Sequence, residues 1–123
     1  MRRKFLPWIE IRKDELDWIS LSCMTDLSIL EQNQDKINWD SLSANENAIP
    51  LLEKNLDKIR WDKLSGNINA ISLLQKNRDK IDWYSLSGNI NAIPILERNL
   101  YKIDWFQLSG NINAVSLLEK KLG

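Results

Sequence analysis

Histidine is absent from the 123 residues, and cysteine occurs once, as Cys23. The first absence removes Ser–His and Cys–His nucleophile pairs, histidine-based zinc sites and the commonest general base. The second removes an internal disulfide and any thiolate metal cage. A single thiol agrees with a reducing compartment, and Cys23 reads as a small apolar filler. Glycine is sparse, at 4 residues, and never clustered, so no GxGxxG or GxxxxGK loop is available to cradle a phosphate. No apolar run approaches the roughly 18 residues of a membrane span, and the N-terminus lacks a signal-peptide stretch. Charge of one sign is missing too: Lys+Arg and Asp+Glu number 17 each. That balance gives no electrostatic footprint for nucleic acid or an anionic membrane surface, and the short basic run Arg2, Arg3, Lys4 reads as a solubilising tail. The expectation is an intracellular, non-catalytic protein without cofactor, metal or membrane span, for which nucleic acid is a disfavoured partner. Paired carboxylates are the one enzymatic feature left. Asp79 and Asp82 recur in similar form as Asp35, Asp57 and Asp104, and a feature repeated in every unit is more simply a cap or a solvated face than a catalytic dyad.

What the chain does have is tryptophan, 6 residues of it, and all but Trp8 stand on a ruler. Trp39, Trp61, Trp83 and Trp105 follow one another at intervals of 22 residues, and Trp18 precedes Trp39 by 21. Units this short cannot bury their own apolar faces, so they must stack into a solenoid that works by surface. The predicted fold is all-α: an α-solenoid of about five two-helix repeats over residues 16–123, with units starting near 18, 39, 61, 83 and 105, preceded by an N-terminal cap over residues 1–15.

Within a unit, the second helix is the clearer: Ala48 to Lys54, Ala70 to Lys76, Ala92 to Arg98 and Ala114 to Lys120. Asn47, Asn69, Asn91 and Asn113, with Thr25 in the shorter first unit, stand where an N-cap is expected. Pro50 and Pro94 fall in the first turn, where a missing N–H deletes no intrahelical bond. Asn33, Asn55, Asn77 and Asn99 stand at its end, where asparagine is suited to a left-handed terminus. The first helix carries Trp-x-x-Leu-Ser and ends near Gly66, Gly88 and Gly110, or Ala44. Its start has two candidates: Asp82 or Asp104 directly before tryptophan, or Asp79 one turn earlier, the latter preferred.

Helices of two turns need tertiary packing. A buried tryptophan removes roughly 150–250 Å² from water, an upper-bound stabilisation of about 4–6 kcal/mol per unit. Trp18, Trp39, Trp61, Trp83 and Trp105 are therefore the predicted spine. Leu42, Leu64, Leu86 and Leu108 join it, with Ile37, Ile59, Ile81 and Ile103 before tryptophan and Ile49, Ile71, Ile93 and Val115 in the second helix. Leu56, Leu100, Ile68, Ile90 and Ile112 are read as contacts between units. A further row, Asn45, Asn67, Asn89 and Asn111, has two readings: amides that satisfy loop backbone in adjacent units, or an exposed amide row that reads a peptide or nucleic-acid backbone.

Written out, the consensus W-x-x-L-S-G-N-x-N-A-I-x-L-L-E-x-N-x-D-K-I-D resembles short tandem repeats of giant DNA virus proteins, often worded N-P-N-A-I-x-L-L-E-K-N. The resemblance runs from about Leu16 onward. This chain has Ile68, Ile90 and Ile112, or Glu46, where proline is frequent between the two asparagines. The resemblance implies a helical-repeat protein comparable in role to ankyrin arrays, made in the infected cell and acting in the host cytoplasm, the virion or the nucleus. It brings no catalytic residues.

Function is expected where units differ. The residue after tryptophan runs Ile19, Asp40, Asp62, Tyr84, Phe106, and the aspartate of Asp35, Asp57 and Asp79 becomes Tyr101. Aromatic residues are enriched at binding hot spots. Tyr84, Tyr101 and Phe106, flanked by Asp40 and Asp62, form the candidate protein-binding patch; the competing reading is that these aromatics pack against a neighbouring unit or cover the C-terminal end. At the array's ends, Phe5, Leu6, Pro7, Trp8, Ile9 and Ile11 read as a cap. Leu117, Leu118 and Leu122 in the last helix have no such cover, and they predict homo-oligomerisation through that end. Two functions follow as expectations: a scaffold for a host or viral protein partner, or a self-assembling structural or virion component.

Overall fold

The computed structural model describes residues 16–123. The cap read over Phe5 to Ile11 lies outside the described residues. Among the described residues the chain is all-helical, with short α-helices, 3₁₀ turns and no strand. The repeat is as the tryptophan ruler predicts, but each full unit contains three elements rather than two. A tryptophan helix comes first: Trp18–Leu21, Trp39–Ser43, Trp61–Leu64, Trp83–Ser87 and Trp105–Leu108. A second helix follows, with alanine as N-cap in every unit but the first, where it is Leu27: Ser28–Glu31, Ile49–Glu53, Ile71–Lys76, Ile93–Glu97 and Val115–Leu122. A 3₁₀ turn then leads into the next unit: Gln34–Lys36, Leu56–Lys58, Arg78–Lys80 and Leu100–Lys102.

The tryptophan helix starts directly before tryptophan, not one turn earlier. Asp82 accepts the Ser85 amide at 3.3 Å and the Ser85 hydroxyl at 2.7 Å, and Asp104 accepts the Gln107 amide at 3.0 Å. Asn38 does the same for Ser41, and Asp17 accepts the Ile19 and Ser20 amides. Asp79 lies inside a 3₁₀ turn instead. The turn exists because Ile37, Ile59, Ile81 and Ile103 must enter the core in extended conformation just ahead of tryptophan, which breaks the helix there. The hydrogen bond from the Ser20 hydroxyl is the main reason the Asp17 carboxyl sits below the ordinary aspartate range. That contribution to stability is present above the unfolded-state pKa and is lost as pH falls through the lower folded-state value.

Three other capping expectations are corrected. The second helix begins one residue later than expected, with Ala48, Ala70, Ala92 and Ala114 as N-caps that make no side-chain cap bond. In the first unit Asp26, not Thr25, accepts the Ser28 amide. No described residue, glycine or otherwise, has positive φ. Asn33, Asn55, Asn77 and Asn99 lie between −132° and −140° in φ, and their side chains turn back to donate to the carbonyls of Ile29, Leu51, Leu73 and Ile95. They close the helix by a side-chain bond rather than by left-handed backbone.

The fully buried column is made of leucine and alanine. Leu42, Leu64, Leu86 and Leu108 of the tryptophan helices and Leu30, Leu52, Leu74 and Leu96 of the second helices are sealed from solvent. Ala48, Ala70, Ala92 and Ala114 are equally sealed, where a larger side chain would separate the helices. The tryptophans are half-buried: Trp18, Trp39, Trp61, Trp83 and Trp105 pack against this column from its rim. The indole is too large to enter a layer spanned by helices of four or five residues, so leucine occupies the centre and tryptophan shields its side. Ile37, Ile59, Ile81 and Ile103 are in the core as expected. Ile49, Ile71 and Ile93 lie at its edge. Leu56 and Leu100 face solvent rather than a neighbouring unit.

Stacking is sealed by two polar ladders. Asn67 is 3% exposed; its Nδ2 donates to the carbonyls of Ser43 at 3.0 Å and Asn45 at 3.1 Å, both in the preceding unit. Its Oδ1 accepts the Asn69 amide at 3.0 Å. Asn89 and Asn111 repeat the pattern on Ser65 with Asn67, and on Ser87 with Asn89. Asn45 reaches the carbonyls of Ser22 and Met24, so the ladder works where the first unit lacks asparagine, because its acceptors are backbone. The structure thus settles the amide row as loop satisfaction between units. The second ladder uses the serine after the buried leucine. Ser65 Oγ donates to the Trp61 carbonyl at 2.7 Å and accepts the Asp82 amide of the next unit at 2.9 Å. Asn69, Asn91 and Asn113 add an exposed bond each, to the carbonyls of Glu46, Ile68 and Ile90.

Gly88 ends its helix at φ −89°, and a Cβ there would meet only the Ser85 carbonyl at 3.7 Å and Gln107 Nε2 at 3.8 Å. The conformation suits alanine, which Ala44 already shows at the equivalent place. Gly88→Ala is expected to stabilise the protein by about 0.4–1 kcal/mol through the unfolded state. Urea unfolding followed by circular dichroism measures this, and a loss of stability would contradict the right-handed terminus.

Candidate functional site

In the tryptophan helix, leucine three residues on and serine four residues on are committed to the core and the ladder. The residue directly after tryptophan therefore points away from the stack. Tyr84 is 55% exposed there and Phe106 is 85% exposed, at the same place in successive units whose tryptophan helices touch. Tyr101, in the 3₁₀ turn that links those units, is 84% exposed. Tyr101 and Phe106 leave little of their rings covered, whereas nearly half of Tyr84 is covered.

Two cations, which the sequence reading did not single out, belong to this surface. Lys102 Nζ stands 5.1 Å from the centre of the Trp83 ring and 5.7 Å from that of Tyr101. Lys121 Nζ stands 5.0 Å from the centre of Trp105. Trp83 and Trp105 thus each offer an outer face to an ammonium, an arrangement favoured by the negative face of the indole. Lys102 belongs to the row Lys36, Lys58, Lys80, Lys102, so its position was visible in the sequence. Its ring partners were not, because Tyr101 occurs in one unit alone.

The acidic flank is less available than the sequence suggests. Asp40 is exposed but its carboxylate pairs with Arg60 of the following unit at 2.7 Å. An exposed pair of this kind contributes about 0–1 kcal/mol, so its chief effect is to neutralise Asp40. Asp62 is exposed on the next tryptophan helix. Cys23 is solvent-exposed, a correction to its reading as an apolar filler, since its place is taken by Ala44, Gly66, Gly88 and Gly110 in the other units, all of which face solvent.

At the last unit, Leu117 is 1% exposed and joins the core, and Leu118 packs against it. Leu117 is therefore not free for self-association as expected, since it takes the place of Ile95 in its own unit's core, whereas Leu118 stays partly exposed where Leu96 is sealed. Leu122 is 87% exposed, and the apolar residues displayed beside it in sequence are Ile112 and Val115. Ile112 faces solvent where Ile68 and Ile90 are half-buried by a following unit, which supports the reading of this position as a contact between units.

Among the described residues no group of His, Cys, Asp and Glu is arranged to hold a metal ion, and no helix is long and apolar enough to cross a membrane. Comparison with protein-family models, with curated proteins and with solved structures gives no match.

Removing the ammonium above the rings tests the cation site. Lys102→Met is expected to cost about 0.5–1 kcal/mol of unfolding free energy. Lys58→Met, in the same row but with no ring beneath it, is expected to stay within about 0.5 kcal/mol. Equal effects in urea titration would remove the interaction.

Proposed function

We propose that the array is a non-catalytic scaffold that binds a protein partner through the face carrying Tyr84, Tyr101 and Phe106. The observation behind this reading is that three aromatic side chains stand in solvent at positions where the other units carry Asp35, Asp40, Asp57, Asp62 and Asp79, or Ile19. Folding does not call for the change, since the acidic residues occupy the same places on the same backbone. Large exposed aromatics desolvate at low entropic cost and are typical anchors of protein interfaces. Balanced charge argues for a protein rather than a nucleic acid as the partner. The resemblance of the repeats to those of giant DNA virus proteins suggests a viral protein acting on a host or viral partner in the host cytoplasm.

A second reading, self-assembly, draws on the last unit. Ile112, Val115 and Leu122 are exposed there, and Ser109 is exposed where Ser43, Ser65 and Ser87 are sealed by the unit that follows. In every internal interface the following unit supplies donors to that serine and to the carbonyls around it. Whatever covers this face, a further unit or a second copy, would present N–H groups as well as apolar surface.

The two readings separate in one experiment. The chain and its Tyr84→Ser, Tyr101→Asp, Phe106→Ser variant, matched by circular dichroism, are used for affinity capture from host-cell lysate, with light scattering in parallel. A protein retained by the parent chain and lost by the variant is the expected result. Recovery of bait alone, with a mass that rises with concentration, would overturn the scaffold reading in favour of assembly.

A further inference from the structure

The interface between the third and fourth units differs from its neighbours in charge. A cleft of about 190 Å³ opens there, lined by Gln75, Arg78, Ile81, Ile95, Arg98 and Asn99. Its walls hold two guanidinium groups and no carboxylate. One unit later the corresponding positions are Glu97, Leu100 and Lys120, and there the lysine pairs with the glutamate at 3.9 Å. One unit earlier they are Glu53, Leu56 and Lys76. The repeat thus places an acid on one unit and a base on the next, and the two charges balance. At the third interface the acid has become Gln75, the leucine has become Arg78 and the lysine has become Arg98. The first substitution removes a negative charge and the second adds a positive one at a single groove, while the third keeps its cation as a guanidinium.

The nearest acids in sequence do not restore the balance. Glu97 is engaged with Lys120, and Asp79 is not among the lining residues. Among the described residues neither arginine has an ion pair or side-chain hydrogen bond, unlike Arg60, which is held by Asp40. Asn99 is occupied with the Ile95 carbonyl and fixes the back of the groove. Ile81 and Ile95, nearly buried, form an apolar floor that lowers the local dielectric beneath the charges. Guanidinium is the side chain best suited to bind carboxylate or phosphate through paired N–H donors.

We propose that this cleft is a binding site for an oxyanion, a carboxylate or a phosphate, held by Arg78 and Arg98 with the Gln75 amide as a neutral third wall. None of Tyr84, Tyr101 and Phe106 lines it, and it does not depend on the function assigned to that face.

The test uses the full chain labelled with ¹⁵N, titrated separately with inorganic phosphate and with glutarate at constant ionic strength set by sodium chloride. The expected result is a saturable shift confined to the Arg78 and Arg98 Nε–H signals and the Gln75 and Asn99 amides, by at least one of the two probes. Which probe saturates assigns phosphate or carboxylate. Gln75→Glu and Arg78→Leu install the residues that other units carry at those places, so the fold tolerates them. Together they are expected to weaken binding by at least about tenfold, the loss of one charge-assisted bond. Lys54→Ala, a cation on another unit, is expected to leave it unchanged, as is the Tyr84→Ser, Tyr101→Asp, Phe106→Ser variant, so failure of the aromatic reading would not touch this result. Shifts that fail to saturate with either probe, that spread evenly over surface lysines and arginines, or that persist in the Gln75→Glu, Arg78→Leu chain would overturn the site.

Discussion

The buried carboxamide of Asn45, Asn67, Asn89 and Asn111 is what allows units this short to stack. Each of these loops turns between two helices of only a few residues, which leaves backbone carbonyls with no partner in their own helix. A buried carbonyl left without a donor costs about 1–3 kcal/mol, a loss that a helix of four residues cannot absorb. The asparagine of the next unit supplies both N–H groups at once, at 2.8–3.1 Å, while its oxygen takes an amide of its own loop. The serine ladder performs the converse task, its hydroxyl accepting the backbone amide just ahead of the next tryptophan. Leucine and alanine burial then supplies the non-directional attraction that the ladders orient. Neighbouring units are joined by bonds of fixed register, so every unit repeats the same placement of side chains.

That division of labour frees the outer surface. Once leucine, alanine, asparagine and serine have closed the stack, the residue after tryptophan and the 3₁₀ turn carry no structural duty and can vary from unit to unit. Tyr84, Tyr101 and Phe106 use that freedom on one face, and Gln75, Arg78 and Arg98 use it at another. Both surfaces lie toward the C-terminal half of the described array. In each, the departure from the repeat is coordinated across more than one position.

Much of this was legible in the spacing of residues. The tryptophan interval defined the units, the Ala-Ile-x-Leu-Leu wording located the second helix to within a residue or two, and absent histidine pointed away from the usual catalytic pairs. The errors share a cause. Asparagine next to a helix was read as a cap because local capping is the commonest use of that side chain, whereas Asn69, Asn91 and Asn113 reach a unit 22 or more residues earlier. Asn33, Asn55, Asn77 and Asn99 were read as left-handed termini from their type, whereas each closes its helix by a side-chain bond to a carbonyl four residues back. Tryptophan was given the centre of the core by its size, and size is the reason it stays at the rim. Leu52, Leu74 and Leu96, unchanged from unit to unit, carried the truer signal. The Lys102 contact and the charge imbalance at Arg78 and Arg98 depend on which units become neighbours across a groove, and that follows only once the stack is known.

The ladder is tested most directly by comparing a buried asparagine with an exposed one. Asn67→Ala removes two donors from buried carbonyls, and Asn69→Ala removes one from an exposed loop, in the same unit and two residues apart. In equilibrium urea unfolding, Asn67→Ala is expected to lose at least about 2 kcal/mol and Asn69→Ala less than about 1 kcal/mol. Equal losses, or an array that keeps its full stability without the Asn67 carboxamide, would contradict a stack held in register by buried amides.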